Sequence, residues 1–178
     1  EAFAGGTGTE EDPYIIQTAQ QLAFLSRSVS IGTSSYENEY VKLANNIVLN
    51  DTSGWENWDT TAPKNKWMPI GNEMFSFRGT FDGNGCTVSG IYCLTSDYRG
   101  LFGYVASGAT IMNIGVVNSL IKGGSDVGGV AGYTNSCTIS NCYFTGSITG
   151  NRAVGGIVGY LNGGTVNNCS NSGPVIGM

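Results

Sequence analysis

Apolar residues in this chain recur at every second position in short runs broken by Gly and Asn, the pattern of strands rather than of helices. The clearest case is a pair of lines: VGGVAGYTNSCTISNCYFTGSITG (127–150) returns 27 residues later as VGGIVGYLNGGTVNNCSNSGPVIG (154–177), with 11 of 24 positions identical. Several other positions exchange one aliphatic residue for another. A unit of short strands this small cannot bury its apolar face alone and must stack on its neighbours.

A third copy lies upstream. GLFGYVASGATIMNIGVVNS (100–119) aligns with 129–147 and 156–174 once one residue is inserted before Ala109. Columns then form from Gly103, Gly132 and Gly159, from Tyr104, Tyr133 and Tyr160, and from Ile111, Ile139 and Val166. Asn113, Asn141 and Asn168 make another, and Ile114, Cys142 and Cys169 the one beside it. Stacking at the strand spacing of about 4.8 Å turns each column into a ladder. The predicted fold is all-β, a right-handed parallel β-helix (β-solenoid), its hand following the general crossover preference.

Earlier coils are less regular. FRGTFDGNGCTVSGIYC (77–93) fits the same frame with Phe81 over Phe102, Val88 over Ile111, and Cys86 in the column of Cys137 with Ala109 between them. YVKLANNIVLN (40–50) alternates at Val41, Leu43, Ile47 and Leu49. The stretch 51–71, DTSGWENWDTTAPKNKWMPIG, is too long and polar for a turn and reads as an excursion from the coil. At the N-terminus YIIQTAQQLAFLSRSV begins as a strand and then offers Thr18 and Gln21 as a capping box, with Leu22, Leu25 and Val29 on one face. A short helix over 19–29 is expected to cap the open end of the first coil. The organisation predicted is one domain over 1–178, with an N-terminal strand and capping helix at 1–39, irregular coils at 40–98 and three repeats at 99–178. The opening EAFAGG reads as a mature or trimmed start, and the uncapped end at Gly177 and Met178 as a cut through a longer solenoid.

Charge narrows the function. Only 12% of residues are charged, the net charge is -5 and the pI is about 4.5, so the clustered cations that nucleic-acid binding needs are missing. Of thirteen acidic residues only Asp126 follows Asp97, which leaves the repeated half nearly uncharged. No run of eighteen apolar residues is present, so no membrane insertion is expected of this segment. The absence of His removes Ser/His/Asp and Cys/His nucleophile arrangements, and with no CxxC among five cysteines neither a zinc site nor a thioredoxin-like site is supported. No metal and no cofactor is expected.

The remaining candidate chemistry is sparse. Carboxylate pairs hydrolyse glycosides, and Asp82, Asp97 and Asp126, with Arg78 and Arg99, are the candidates. Asp82 sits in FDGNG, whose Asp-Gly and Asn-Gly steps demand a turn, and no spacing assembles a pair. Trp55, Trp58 and Trp67 fall within thirteen positions. Trp67, in WMPIG, reads as core, while Trp55 and Trp58 either pack on the solenoid flank or stack on a sugar face or protein partner. Asp51, Ser53, Glu56, Asn57 and Asp59 have the oxygen density of a calcium loop without EF-hand spacing. Cys142 and Cys169 come within the Cα separation of a disulfide, but stacked side chains point in parallel, which favours unpaired core thiols. The tyrosines are read as a packed column and the asparagines as rung-to-rung bridges at a turn.

In combination, GLFGY, GVAGY and GIVGY resemble the GLUG repeat of bacterial surface and secreted proteins, found near the N-termini of IgA-peptidase-like proteins and in large adhesin-like chains. FAGGTGTEEDPYIIQTAQQL, YVKLANNIVL, WMPIG and FRGTFDGNG are similar to the segment that precedes those repeats, so the resemblance covers nearly the whole chain. It implies a right-handed β-helix, export from a bacterium, an extracellular or cell-surface location and a role as stalk or binding region. It carries no catalytic set to transfer. One departure is Cys86, which follows DGNG where relatives often have His. The expectation is a non-catalytic extracellular segment acting as an adhesin-like binding region or spacer, with a host glycan or surface protein and the remainder of a longer parent chain as partners. The alternative is a carbohydrate-active enzyme or sugar-binding accessory module.

Overall fold

The computed structural model describes residues 2–94 and 96–178. β1 (Tyr14–Ile16) leads into α1 (Ala19–Ser30), after which β2 (Tyr40–Leu43) lies parallel to β1 with Tyr14 opposite Val41. The helix starts where its cap dictates: Thr18 Oγ1 accepts from the Gln21 amide at 3.2 Å, and Gln21 Oε1 accepts from the Thr18 amide at 3.2 Å. Its Leu22, Leu25 and Val29 are buried in the same core as Ile16 and Val41, at the β1 edge of the stack. Ser26 Oγ donates to the carbonyls of Met68 and Pro69, tying the helix to a later coil.

The coils follow as β3 (Ile47–Val48), β4 (Thr80–Asp82), β5 (Thr87–Ser89) and β6 (Tyr92–Cys93), then β7 (Phe102–Val105), β8 (Thr110–Met112) and β9 (Gly115–Lys122). The last two turns comprise β10 (Ser125–Gly128), β11 (Ala131–Ser140) and β12 (Tyr143–Gly150), then β13 (Arg152–Gly155), β14 (Val158–Asn167), β15 (Ser170–Asn171) and β16 (Val175–Gly177). Strands return to three faces. One sheet runs β1-β2-β4-β8-β11-β14, a second β3-β5-β9-β12-β15, and β10 pairs with β13 on the third. All of these pairings are parallel, so the molecule is a parallel β-solenoid.

Alternation decides which side chains face inward. Phe81, Ile111 and Ile139 stack as one buried column of the first sheet, and Val88, Val116 and Phe144 as one of the second. In the last two turns the register is the 27-residue repeat itself: Tyr133 faces Tyr160, Ile139 faces Val166 and Ile148 faces Val175. The repeat glycines sit near the starts of strands, where backbones touch. A Cβ on Gly103 would lie 2.3 Å from the Gly71 carbonyl oxygen, and one on Gly132 would lie 2.5 Å from that of Asp126.

Upstream the register departs from the sequence expectation. Phe81 lies over Ile111, not Phe102, and Val88 over Val116, not Ile111. Phe102 is instead opposite Ile70, and Val105 opposite Phe77. The cause is the turn between Val105 and Thr110, with Gly108 at φ 90°, which divides the first copy into β7 and β8; both then pair with the single long β11. From 105 to 110 the first copy spends one residue more than β11 does from 134 to 138. A second extra residue forms a bulge in β9, where Val116 faces Phe144 but Ser119 already faces Gly146, with Asn118 at φ 47°. Cys86 is likewise one column away from its expected place: Thr87 faces Gly115, so Cys86 aligns with Ile114 and hence with Cys142 and Cys169 rather than with Cys137. The excursion is also shorter than 51–71. The Trp67 amide donates to the Tyr92 carbonyl at 2.8 Å and Ile70 pairs with Phe102, so the chain has rejoined the coil before Gly71.

Candidate functional site

The excursion is held by its neck and its tip. At the neck Asn50 Oδ1 accepts from the Asn65 amide at 2.8 Å, while Asn50 Nδ2 donates to the Asn65 and Gly90 carbonyls at 2.7 and 2.9 Å. At the tip a 3₁₀ turn over Trp55–Asn57 presents Trp58, only 4% exposed, to the outer side of the second sheet. Its ring meets Tyr92 edge to face at 5.8 Å and packs with Leu120, and Asp59 forms an ion pair with Lys122 of β9. Trp58 is therefore the anchor of the loop and not a free ligand-stacking surface. Trp55 is half-buried at the edge of the same cluster. Trp67 is core, its indole donating to the Leu101 carbonyl at 3.1 Å. The loop's oxygen-bearing side chains do not converge: Asp51 Oδ1 accepts from the Ser53 amide at 2.9 Å, which holds that carboxyl below its usual range, and Asp59 is turned to Lys122. Among the described residues no cluster of three acidic or cysteine ligands could hold a metal ion.

The tyrosine column is a stack of rings. Tyr104 and Tyr133 lie 4.4 Å apart and 30° from parallel, and Tyr133 and Tyr160 lie 5.3 Å apart at 19°. Tyr98, in the left-handed region at φ 58°, closes the upstream end edge-on at 5.4 Å from Tyr104. Nothing in the repeat phase marks Tyr98, which is why the sequence did not place it in the column. Each ring covers the face of the next, so a sugar seeking a free aromatic face meets only ring edges until Tyr160, which is 48% exposed. Burial, and then the neighbouring Tyr133, pushes the Tyr104 phenol up to about 12.

Asn113, Asn141 and Asn168 all occupy the left-handed region, at φ 59°, 54° and 50°. Asn141 Nδ2 donates to Asn113 Oδ1 at 3.3 Å, and Asn113 Nδ2 donates to Asp82 Oδ1 at 3.0 Å. Asp82 is thus the upstream member of the polar ladder, and it also accepts from the Asn84 amide at 2.8 Å. Beside it run the cysteines. Cys142 is buried, and burial pushes its thiol up to about 12; its Sγ lies 3.2 Å from the Ser140 carbonyl, as Cys169 Sγ does from that of Asn167. All five cysteines are free thiols.

Of the acidic candidates, the structure brings together Asp97 and Asp126. Asp97 Oδ1 accepts from the Ser125 amide at 2.7 Å. The Asp126 carboxyl is pushed up by burial and then by Asp97, with Arg152 opposing. Asp82 is remote in role, committed to the asparagine ladder, and Arg78 pairs with Glu37 at 3.7 Å.

Comparison with known proteins gives four matches. The GLUG motif matches residues 123–149 and 150–176, the two turns whose register is unbroken. The first copy, with its two insertions, falls outside that match. Over 153 residues the chain is 34% identical to Halomucin of Haloquadratum walsbyi, covering 82% of this chain and 2% of that protein. Over 121 residues it is 31% identical to a protein of Evansella cellulosilytica assigned as a Gly-rich membrane protein, covering 67% of this chain and 12% of that one. The chain therefore spans a small fraction of these curated relatives. A crystal structure from Bacteroides ovatus assigned as an immunoglobulin A1 protease superposes with a TM-score of 0.75 over 98% of this chain and 51% of that one, at 22% identity, a likeness of fold. Two stacked motifs in unbroken 27-residue register, on a parallel solenoid that runs through most of the chain, make this a GLUG-motif β-solenoid.

Proposed function

We propose that the chain is a non-catalytic extracellular β-solenoid segment that spaces and presents a binding surface outside the cell, as part of a longer parent protein. The observation that carries this is the parallel stacking of its turns. The aliphatic and tyrosine columns stack from rung to rung, Asn141 bonds to Asn113 of the rung before, and the excursion is pinned to the flank through Trp58. Such a rod lengthens by about one strand spacing for each added repeat. The names of the relatives, a mucin-like name and a membrane-protein assignment, agree with a surface setting. No helix among the described residues is long and apolar enough to cross a membrane.

Adhesion to a host glycan or surface protein is the finer reading, with Trp55 as the loop residue still able to reach a partner. An array of glycans, mucins and surface proteins probed with the intact protein tests it. Saturable binding that is lost in Trp55→Ala supports recognition through the loop. Release of free sugar from any arrayed glycan, abolished by Asp97→Asn or Asp126→Asn, would overturn the non-catalytic assignment in favour of a carbohydrate-active enzyme.

A further inference from the structure

A cavity of about 650 Å3 lies between the C-terminal end of α1, the stretch 68–74 and the chain around Tyr98, away from the pinned loop. Its apolar side is made by Ile31, Met68 and Met74, all three exposed although large and hydrophobic. Methionine surfaces of this kind adapt to alkyl ligands. Its polar side is acidic. Glu73 and Asp97 line it beside Tyr98, and their charges, with that of Asp126, add to burial in pushing the Tyr98 phenol up. None of the three takes part in an ion pair among the described residues. Arg99 also lines the cavity, but its Nε is buried without a partner and its head group acts on the buried Cys93 thiol; Arg152 lies by Asp126.

Ser30 and Asn72 of the wall are already engaged within the protein. Ser30 Oγ donates to the Pro69 carbonyl at 3.2 Å, Asn72 Nδ2 donates to the Ser30 carbonyl at 2.9 Å, and Asn72 Oδ1 accepts from the Met74 and Phe75 amides at 3.0 and 2.9 Å. An alkyl chain ending in a cation finds both an apolar floor and unpaired negative charge.

We propose that this cavity is the docking site for a lysine side chain of a partner protein, its ammonium between Glu73 and Asp97 and its alkyl stem over Met68 and Met74. This goes further than the surface-binding function above and rests on it only for access to a partner.

The test uses the intact protein with 13C-labelled methionine methyls, titrated with Nα-acetyl-lysine methylamide, with its neutral isostere Nα-acetyl-norleucine methylamide, and with glucosamine. The expected result is saturable shifts at Met68 and Met74 but not at Met178, with the lysine derivative binding more tightly than the norleucine one. Glu73→Gln, which removes the charge of a side chain engaged in no hydrogen bond among the described residues, is expected to weaken lysine binding about threefold without moving the melting temperature. Equal binding of lysine and norleucine derivatives, or unchanged affinity in Glu73→Gln, would overturn the proposal. Tighter binding of glucosamine would also overturn it and assign the cavity to amino sugars. Either failure leaves the array result to judge the broader function.

Discussion

Replacing Ile139 by Ala removes three carbons from the middle of the first sheet, where the side chain is 0% exposed between Ile111 and Val166. At roughly 0.8 kcal/mol per buried carbon the transfer loss is about 2.4 kcal/mol. Rungs above and below hold the backbone in place, so the void cannot collapse, and the cavity contribution brings the expected cost to about 3–4 kcal/mol. The same column supplies its own control. Val166 is 37% exposed, so Val166→Ala loses two carbons that are about two-thirds buried, a cost of about 1 kcal/mol. Urea unfolding followed in parallel by far-ultraviolet circular dichroism and by tryptophan fluorescence measures both. All three tryptophans lie at 55–67, so coincidence of the two signals also tests whether the coils unfold as one unit. A cost below about 1 kcal/mol for Ile139→Ala, or equal costs for the two variants, would refute the stacked-column account of the core.

Gly132→Ala would drive a Cβ into the backbone of Asp126, Arg99 and Tyr98, none of which is a flexible side-chain end, and is expected to cost about 1–3 kcal/mol or to prevent folding, read by the same denaturation curves. Thr18→Ala removes one half of the capping box and should lower stability by about 1 kcal/mol, seen as a fall of roughly 2–4 °C in melting temperature. Stability should fall as pH rises above 9. Burial raises the Cys93 and Cys142 thiols to about 11 and about 12 from an ordinary 9.0, so the unfolded chain releases those protons first, and the stability present below pH 9 is lost between 9 and the folded values. Each thiol contributes about 1.4 kcal/mol per pH unit in that window, and melting in reductant should show a shallower alkaline decline in Cys142→Ala.

What could be read from the chain itself was everything that depends on local pairing and on the repeat. The capping box needs only four consecutive residues, and the tyrosine, isoleucine and asparagine columns need only a period, so Thr18, Tyr133, Ile139 and Asn141 took the places their spacing gives them. An in-register parallel stack has one solution for equal-length turns, because a shift by one residue would turn the core outward. Where turns differ in length that constraint disappears. The residues spent at Gly108 and in the turn from Asp82 to Thr87, longer than the one from Met112 to Gly115 that it faces, moved Phe81, Val88 and Cys86 away from their expected partners, because the choice among registers was made by which apolar side chains fill the interior. Contacts between distant stretches were likewise beyond periodicity. Only the folded chain lays Trp58 on Tyr92 and Leu120, sets Tyr98 against the column, and brings Glu73 and Asp97 to the wall of one cavity. Sequence period fixes neighbours along a ladder, while burial and charge between unlike turns are settled only once those turns are packed.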